Sequence, residues 1–169
     1  EGWEAAEILP AEFDEEGVIA LHGKGYACTG FSIGKDKIMC RGYDKLEKEK
    51  HCEEMTQALA QRRFGGELPP HVMRIEFQMR RDALRGFTVV GEKNGIETWQ
   101  EWCKYKSAIV RYLCTEWLVF VQEKFDRSHS DRLKNCPDAW HADWLKVVSA
   151  FKRAFGSCER KLVRLNASI

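Results

Sequence analysis

Residues 71–80, His-Val-Met-Arg-Ile-Glu-Phe-Gln-Met-Arg, alternate apolar and polar side chains almost without fault. Successive side chains of a β-strand point to opposite faces. Met73, Ile75, Phe77 and Met79 therefore share one face, and Arg74, Glu76, Gln78 and Arg80 the other. Such a segment fits a sheet with one face in a core and the other carrying a polar row, as antiparallel sheets commonly have. The strand needs neighbours, and residues 26–43 supply them as a hairpin. Tyr26–Ile33 puts Thr29, Phe31 and Ile33 on one face and Cys28, Gly30 and Ser32 on the other. Gly34-Lys35-Asp36-Lys37 gives the turn. The return strand, Lys37–Tyr43, sets Ile38, Cys40 and Gly42 against Met39, Arg41 and Tyr43. Val18–Leu21 reads as one further short strand.

Asp44 is a suitable N-cap, with Glu47 three residues later in a capping-box arrangement, and the helix it opens is expected to run to Phe64. The first half of this helix is almost wholly charged and is read as solvated. Gly65-Gly66 and Pro69-Pro70 stop it. Arg81–Phe87 reads as a short helix closed by Gly86. From Gly91 the pattern changes. Between Gly95 and Lys124, Trp99, Trp102, Lys106, Val110, Leu113, Trp117 and Val121 recur at three- and four-residue spacing, which predicts a long amphipathic helix. A polar loop at 126–132 follows, and after Pro137 a second helix carries Trp140, Trp144, Val147, Val148, Phe151 and Phe155 to Gly156. The two helices are expected to pair antiparallel, with a basic, partly frayed tail from Ser157 to Ile169. The fold class is α+β: an antiparallel sheet with a helix on one face, followed by a C-terminal helical hairpin. The expected division is 1–90 for the sheet-based part, incomplete at its N-terminus, and 91–169 for the helical part.

Composition narrows the function classes. A chain of 169 residues with 44% hydrophobic and 31% charged residues is ordinary globular material. No run reaches the roughly 18–20 apolar residues of a membrane span, so no membrane partner is expected. The acidic start, Glu1 to Glu7, lacks the basic region of a signal peptide, and a chain that opens on Glu1 is read as missing upstream sequence. Seven cysteines without a CxxC pair point to reduced core thiols in a cytoplasmic protein. A net charge of +1 confines any nucleic-acid surface to a local patch. The five histidines show neither His-x-His nor HExxH spacing, and no GxSxG, Walker or Rossmann glycine pattern is present. The helical tryptophans are read as core.

The polar face shared by the strands remains. Arg41 and Tyr43 lie on one face of the hairpin, and Arg74, Glu76 and Gln78 on the polar face of the later strand. In-register neighbours would bring a phenol, guanidinium groups and a carboxylate onto one open surface. Alone, that pattern suits a solvated salt-bridge ladder as well as a site, and Tyr43 a surface tyrosine as well as a nucleophile.

Thr29-Gly30-Phe31-Ser32-Ile33-Gly34, then Arg41-Gly42-Tyr43-Asp44-Lys45 with Glu47, then Arg74-Ile75-Glu76-Phe77-Gln78, resemble the replication initiation factors of rolling-circle plasmids, phage and conjugative elements. The resemblance covers about Tyr26 to Phe155, and Gly42 stands where that family more often has an aliphatic residue. It implies a site-specific nickase and ligase for one strand of origin DNA, working through a 5′-phosphotyrosine. Tyr43 is then the nucleophile, with Tyr26 the second choice, and Arg41 and Lys45 stabilise the phenolate or bind the phosphate. Glu76 and Glu47 are the acids for Mg²⁺ or Mn²⁺. Arg74, Gln78, Arg80, Arg81, Arg127 and Arg132 are the DNA contacts. Single-stranded or origin DNA is the implied partner, with a host helicase and a homodimer left open. The alternatives are a non-catalytic DNA-binding module and a helical interaction protein.

Overall fold

The computed structural model describes residues 7–10, 19–24, 27–49, 53–67, 69–122, 130–157 and 160–165. In chain order the strands are β1 (Glu7–Pro10), β2 (Ile19–Lys24), β3 (Ala27–Lys35), β4 (Ile38–Asp44), β5 (Met73–Met79), β6 (Phe87–Val89), β7 (Leu118–Val121) and β8 (Leu162–Arg164). The helices are α1 (Lys45–Glu49), α2 (Glu53–Phe64), α3 (Arg81–Arg85), α4 (Trp99–Tyr112), α5 (Ser130–Lys134) and α6 (Ala142–Phe155). The class is α+β. Two compact units divide the chain: Glu16–Met79, and Arg80–Ile169 together with Glu1–Glu15. The boundary expected at residue 90 thus stands against a division at Met79/Arg80 that assigns the N-terminal segment to the C-terminal unit.

In the Glu16–Met79 unit the strands form one antiparallel sheet in the order β2-β3-β4-β5. Its register follows the alternation. Phe31 pairs with Gly42 and Ile33 with Cys40, and Gly42 pairs in turn with Ile75 and Cys40 with Phe77. Ile33 and Cys40 are fully buried and Phe31 and Ile38 nearly so, which makes this the core face. The turn is tighter than expected, since β3 runs on to Lys35 and Asp36 takes the left-handed conformation at φ 54°. Aspartate tolerates that region better than most side chains because it bonds locally to backbone. Asp44 caps α1 as expected: the backbone N–H groups of Leu46 and Glu47 donate to its Oδ1 at 2.9 and 3.1 Å. The helix expected from Asp44 to Phe64 is described as α1 and α2. Gly65 and Gly66, both at positive φ, close α2, and the Gly66 N–H reaches back to the Ala60 carbonyl.

In the other unit α4 opens with a full capping box, Thr98 accepting from the Glu101 N–H and Glu101 accepting from the Thr98 N–H. Helices α4 and α6 run antiparallel, as expected. Ser107 on α4 donates to the Phe155 carbonyl at the end of α6, and Trp144 near the start of α6 donates to the Cys114 carbonyl just beyond α4. The long helix expected to Lys124 is a correction, however. It ends at Tyr112, turns through a π-helical stretch at Leu113–Trp117, and becomes β7, paired antiparallel with β1. Leu118-Val119-Phe120-Val121 is apolar on every side and buried throughout. Such a run has no polar face to give a surface helix and suits a buried strand. The tail is a second correction, since Leu162–Arg164 pairs with β6 and the side chain of Leu162 is buried.

Trp117, Trp140 and Trp144 are core, but Trp99 is 69% exposed, stacked on Trp102 at 4.9 Å. Among the described cysteines Cys40 and Cys114 are buried, whereas Cys103 is exposed. No described helix is long and apolar enough to cross a membrane.

Candidate functional site

The polar face of the β2–β5 sheet carries cross-strand rows fixed by the register. One row runs His22, Gly30, Tyr43, Arg74, and the next runs Ser32, Arg41, Glu76. Met39 faces Gln78 one step further. The meeting of phenol, guanidinium and carboxylate that the alternation made conditional is therefore present.

Glu76 is the hub. Its Oε1 accepts the Tyr43 hydroxyl at 3.0 Å and lies 2.6 Å from Arg74 Nε. Arg74 and Glu76 sit two apart on β5 and so share its open face. Tyr43 reaches Glu76 on the diagonal from its own partner, Arg74, a distance that a long aromatic side chain spans. The Lys48 ammonium stands 4.4 Å from the centre of the Tyr43 ring, so one turn of α1 lays a cation on the phenol's face. Arg41 is exposed, and its Nε donates to Met39 Sδ at 3.1 Å.

On the edge strand, His22 Nε2 lies 2.9 Å from Ser32 Oγ, and the Thr29 hydroxyl donates to the His22 carbonyl at 3.3 Å. These groups surround one cleft of about 550 Å³, whose lining includes His22, Gly30, Ser32, Arg41, Tyr43, Glu47, Lys48 and Glu76. Gly30 is its floor. A Cβ there would meet the Gly42 carbonyl oxygen at 2.5 Å and Tyr43 Cβ at 3.0 Å, so only glycine lets β3 pass this close to β4 under the tyrosine.

Of the residues marked in the sequence, Tyr43, Arg41, Arg74 and Glu76 come together, Glu47 lines the same cleft, and Gln78 lies on the same face. Lys45 is not among the lining residues. The cation that α1 presents to the phenol is Lys48, one helical turn beyond Lys45. Arg80 and Arg81 are exposed at the start of α3, in the other unit, and Arg132 is exposed on α5. Arg127 and Tyr26 lie outside the described residues. Sequence patterns missed His22, Ser32 and Lys48. The alternation of β3 grouped Ser32 with Gly30 on one face of that strand, and the strand expected at Val18–Leu21 stopped one residue short of His22.

Three carboxylates line the cleft, Asp44, Glu47 and Glu76, of which Glu47 and Glu76 are the ones expected to hold a divalent cation. Among the described residues no group of three or more His, Cys, Asp or Glu side chains is placed to hold a metal ion. Glu76 Oε1 is already engaged by Tyr43 and Arg74, and Asp44 Oδ1 by the α1 cap. This donor set does not make a metal shell. What the arrangement can do is hold a phenol against a carboxylate that takes its proton, between cations that suit a phosphate.

Comparison of the chain with family models, curated proteins and solved structures returns no match.

Proposed function

We propose that the open face of the β2–β5 sheet nicks and rejoins one strand of origin DNA through a tyrosine–DNA link, as a cytoplasmic initiator of plasmid or phage rolling-circle replication. The observation that carries the proposal is the Tyr43 hydroxyl donating to Glu76 Oε1 at 3.0 Å within an open cleft lined by cations. A phenol, with an ordinary pKa of about 10, is a weak nucleophile at neutral pH until a base removes its proton. Glu76 is in hydrogen-bond reach of that proton, and Arg74 holds the carboxylate in place. As the phenolic oxygen bonds to phosphorus, its proton passes to Glu76 and the bond from phosphorus to the 3′ oxygen breaks. The products are a 5′-phosphotyrosine and a free 3′ end. Arg41 and Lys48 line the cleft where the non-bridging oxygens gather charge, and cations there favour the transition state. The phosphotyrosine keeps the energy of the phosphodiester, so attack by a 3′-hydroxyl reverses the step.

A non-catalytic DNA-binding module is the second reading, favoured by the short donor set for the Mg²⁺ or Mn²⁺ that the resemblance implies. Single-stranded oligonucleotides labelled at the 3′ end and tiled across the DNA flanking the coding sequence separate the two. With Mg²⁺ or Mn²⁺ present, the wild-type chain should form a denaturation-resistant adduct that Tyr43→Phe abolishes. An adduct that survives Tyr43→Phe removes Tyr43 as nucleophile. Salt-dependent binding with no adduct supports the binding module instead.

A further inference from the structure

We propose that His22 is the general acid of this reaction, donating a proton to the leaving 3′ oxygen across a notch, floored by Gly30, that seats the scissile phosphate between His22 and Tyr43. The inference rests on the nicking reaction proposed above and assigns its second proton. His22 pairs with Gly30, and Gly30 with Tyr43, so all three face the same side of the sheet on successive strands. The middle member has no side chain, and none fits, because its Cβ would lie 2.5 Å from the Gly42 carbonyl oxygen. The row is therefore open at its centre and walled by a phenol on one side and an imidazole on the other.

The span suits the chemistry. Two strand spacings place His22 and Tyr43 roughly 10 Å apart at the backbone. An in-line displacement with an acid beyond the leaving oxygen needs roughly 7–8 Å from attacking oxygen to donor nitrogen. The two side chains, both lining the one cleft, close that difference.

The edge strand is arranged to hold the ring there. The β2–β3 register shifts between His22 and Gly23, an irregularity of the kind that re-aims side chains at sites. His22 Nε2 is held by Ser32 Oγ at 2.9 Å, and the Thr29 hydroxyl fixes the His22 carbonyl. Nothing at the structural core requires this histidine, which is exposed. The other charged groups lining the cleft are Arg41 and Asp44 from β4, Glu47 and Lys48 from α1, and Glu76 from β5.

The protons balance. In nicking, the Tyr43 proton moves to Glu76, the oxygen–phosphorus bond forms, and the electron pair of the breaking bond goes to the 3′ oxygen. The His22 imidazolium supplies the proton that makes it a 3′-hydroxyl and is left neutral. In rejoining, neutral His22 takes that proton back as the 3′-hydroxyl attacks, and Glu76 returns its proton to Tyr43.

The test compares two oligonucleotides of one sequence, one with the natural 3′ oxygen at the scissile bond and one with a bridging 3′ sulfur. A thiolate leaves without protonation. His22→Ala should slow adduct formation on the oxygen substrate by on the order of a hundredfold or more, the usual worth of a general acid. On the sulfur substrate it should stay within about threefold of wild type. Equal slowing on both substrates, or no slowing on either, overturns the assignment of His22. His22→Gln, which keeps a polar side chain beside Ser32, should behave as His22→Ala does. Rescue of the oxygen-substrate rate by His22→Gln would make His22 a positioning residue and sink the proposal. A wild-type chain inactive on both substrates sinks the nicking reaction itself, whereas a failure confined to the His22 comparison sinks only this assignment.

Discussion

Gly42 sits on the core face of β4, opposite Phe31, and a Cβ built there lies 2.3 and 2.4 Å from two ring carbons of Phe31 and 3.0 Å from Ile75 Cδ1. Ordinary carbon contacts begin near 3.5 Å, so Gly42→Ala requires the ring to move by about 1 Å. Phe31 is only 8% exposed, and its neighbour Ile33 is fully buried, which leaves the ring little room. Overpacking of this kind costs about 1–3 kcal/mol, offset by the roughly 0.5–1 kcal/mol that alanine gains over glycine in a strand. The expected net loss for Gly42→Ala is about 1–2 kcal/mol. Phe31→Leu removes the clashing ring carbons and alone should cost about 1 kcal/mol in lost burial. Combined, the two changes should cost less than their sum, with a favourable coupling of about 1 kcal/mol or more. Residues 16–79 contain no tryptophan, so intrinsic tryptophan fluorescence is blind to this unit's own core. Urea titration followed by hydrogen exchange of peptides from β3 and β4 reads it directly. Strict additivity of the two changes, or a Gly42→Ala chain as stable as wild type, would refute the close approach of Phe31 to Gly42.

Glu76→Gln should leave the fold nearly as stable, because Arg74 and Glu76 are 42% and 33% exposed and such pairs contribute about 0–1 kcal/mol. Adduct formation should nonetheless fall on the order of 10²-fold or more with the loss of the base, measured as a single-turnover rate. Thr98→Ala removes the N-cap of α4 and should cost about 1 kcal/mol in thermal or urea unfolding. The Glu101 carboxyl is held below the usual carboxylate range by hydrogen bonds from the Glu97 and Thr98 N–H groups and from the Thr98 hydroxyl. Its contribution is thus fully present above the ordinary carboxylate pKa and is lost as pH falls through the depressed one. Hydrogen exchange at the start of α4 should accelerate over that acidic range in wild type, and Glu101→Gln should remove the pH dependence. Burial pushes the Cys114 thiol up to about 12, so maleimide should label Cys103 in the native chain and reach Cys114 only on unfolding, as mass spectrometry of the labelled peptides will report.

The sheet was legible where hydropathy alternates with period two. The Met73–Met79 strand and the Ala27–Asp44 hairpin fixed which side chains share a face, and hence that Tyr43, Arg41, Arg74 and Glu76 could meet. The Tyr43–Glu76 hydrogen bond needed the diagonal geometry of paired strands, which pattern alone does not give. His22 was invisible because the strand expected at Val18–Leu21 stopped one residue short of it, and the pairing of β2 with β3 is irregular between His22 and Gly23. The strand-end motif points to Lys45, whereas the ammonium over the ring belongs to Lys48, which pattern alone does not single out. In the other unit, Leu118–Val121 fell on the same three- and four-residue spacing as α4. Only the pairing with β1, more than a hundred residues earlier in the chain, makes it a strand. Trp99 fits the helical stripe by number yet sits at the first position of α4, where the helix has no preceding turn to bury it.

The most direct measurement is the mass of the trapped adduct after trypsin. Cleavage after Arg41 and Lys45 releases Gly42-Tyr43-Asp44-Lys45, and this peptide should carry the nucleotide through a 5′-phosphate on Tyr43. The nucleotide on the Tyr26 peptide or any other residue, or DNA bound at low salt with every tyrosine unmodified, would contradict the account.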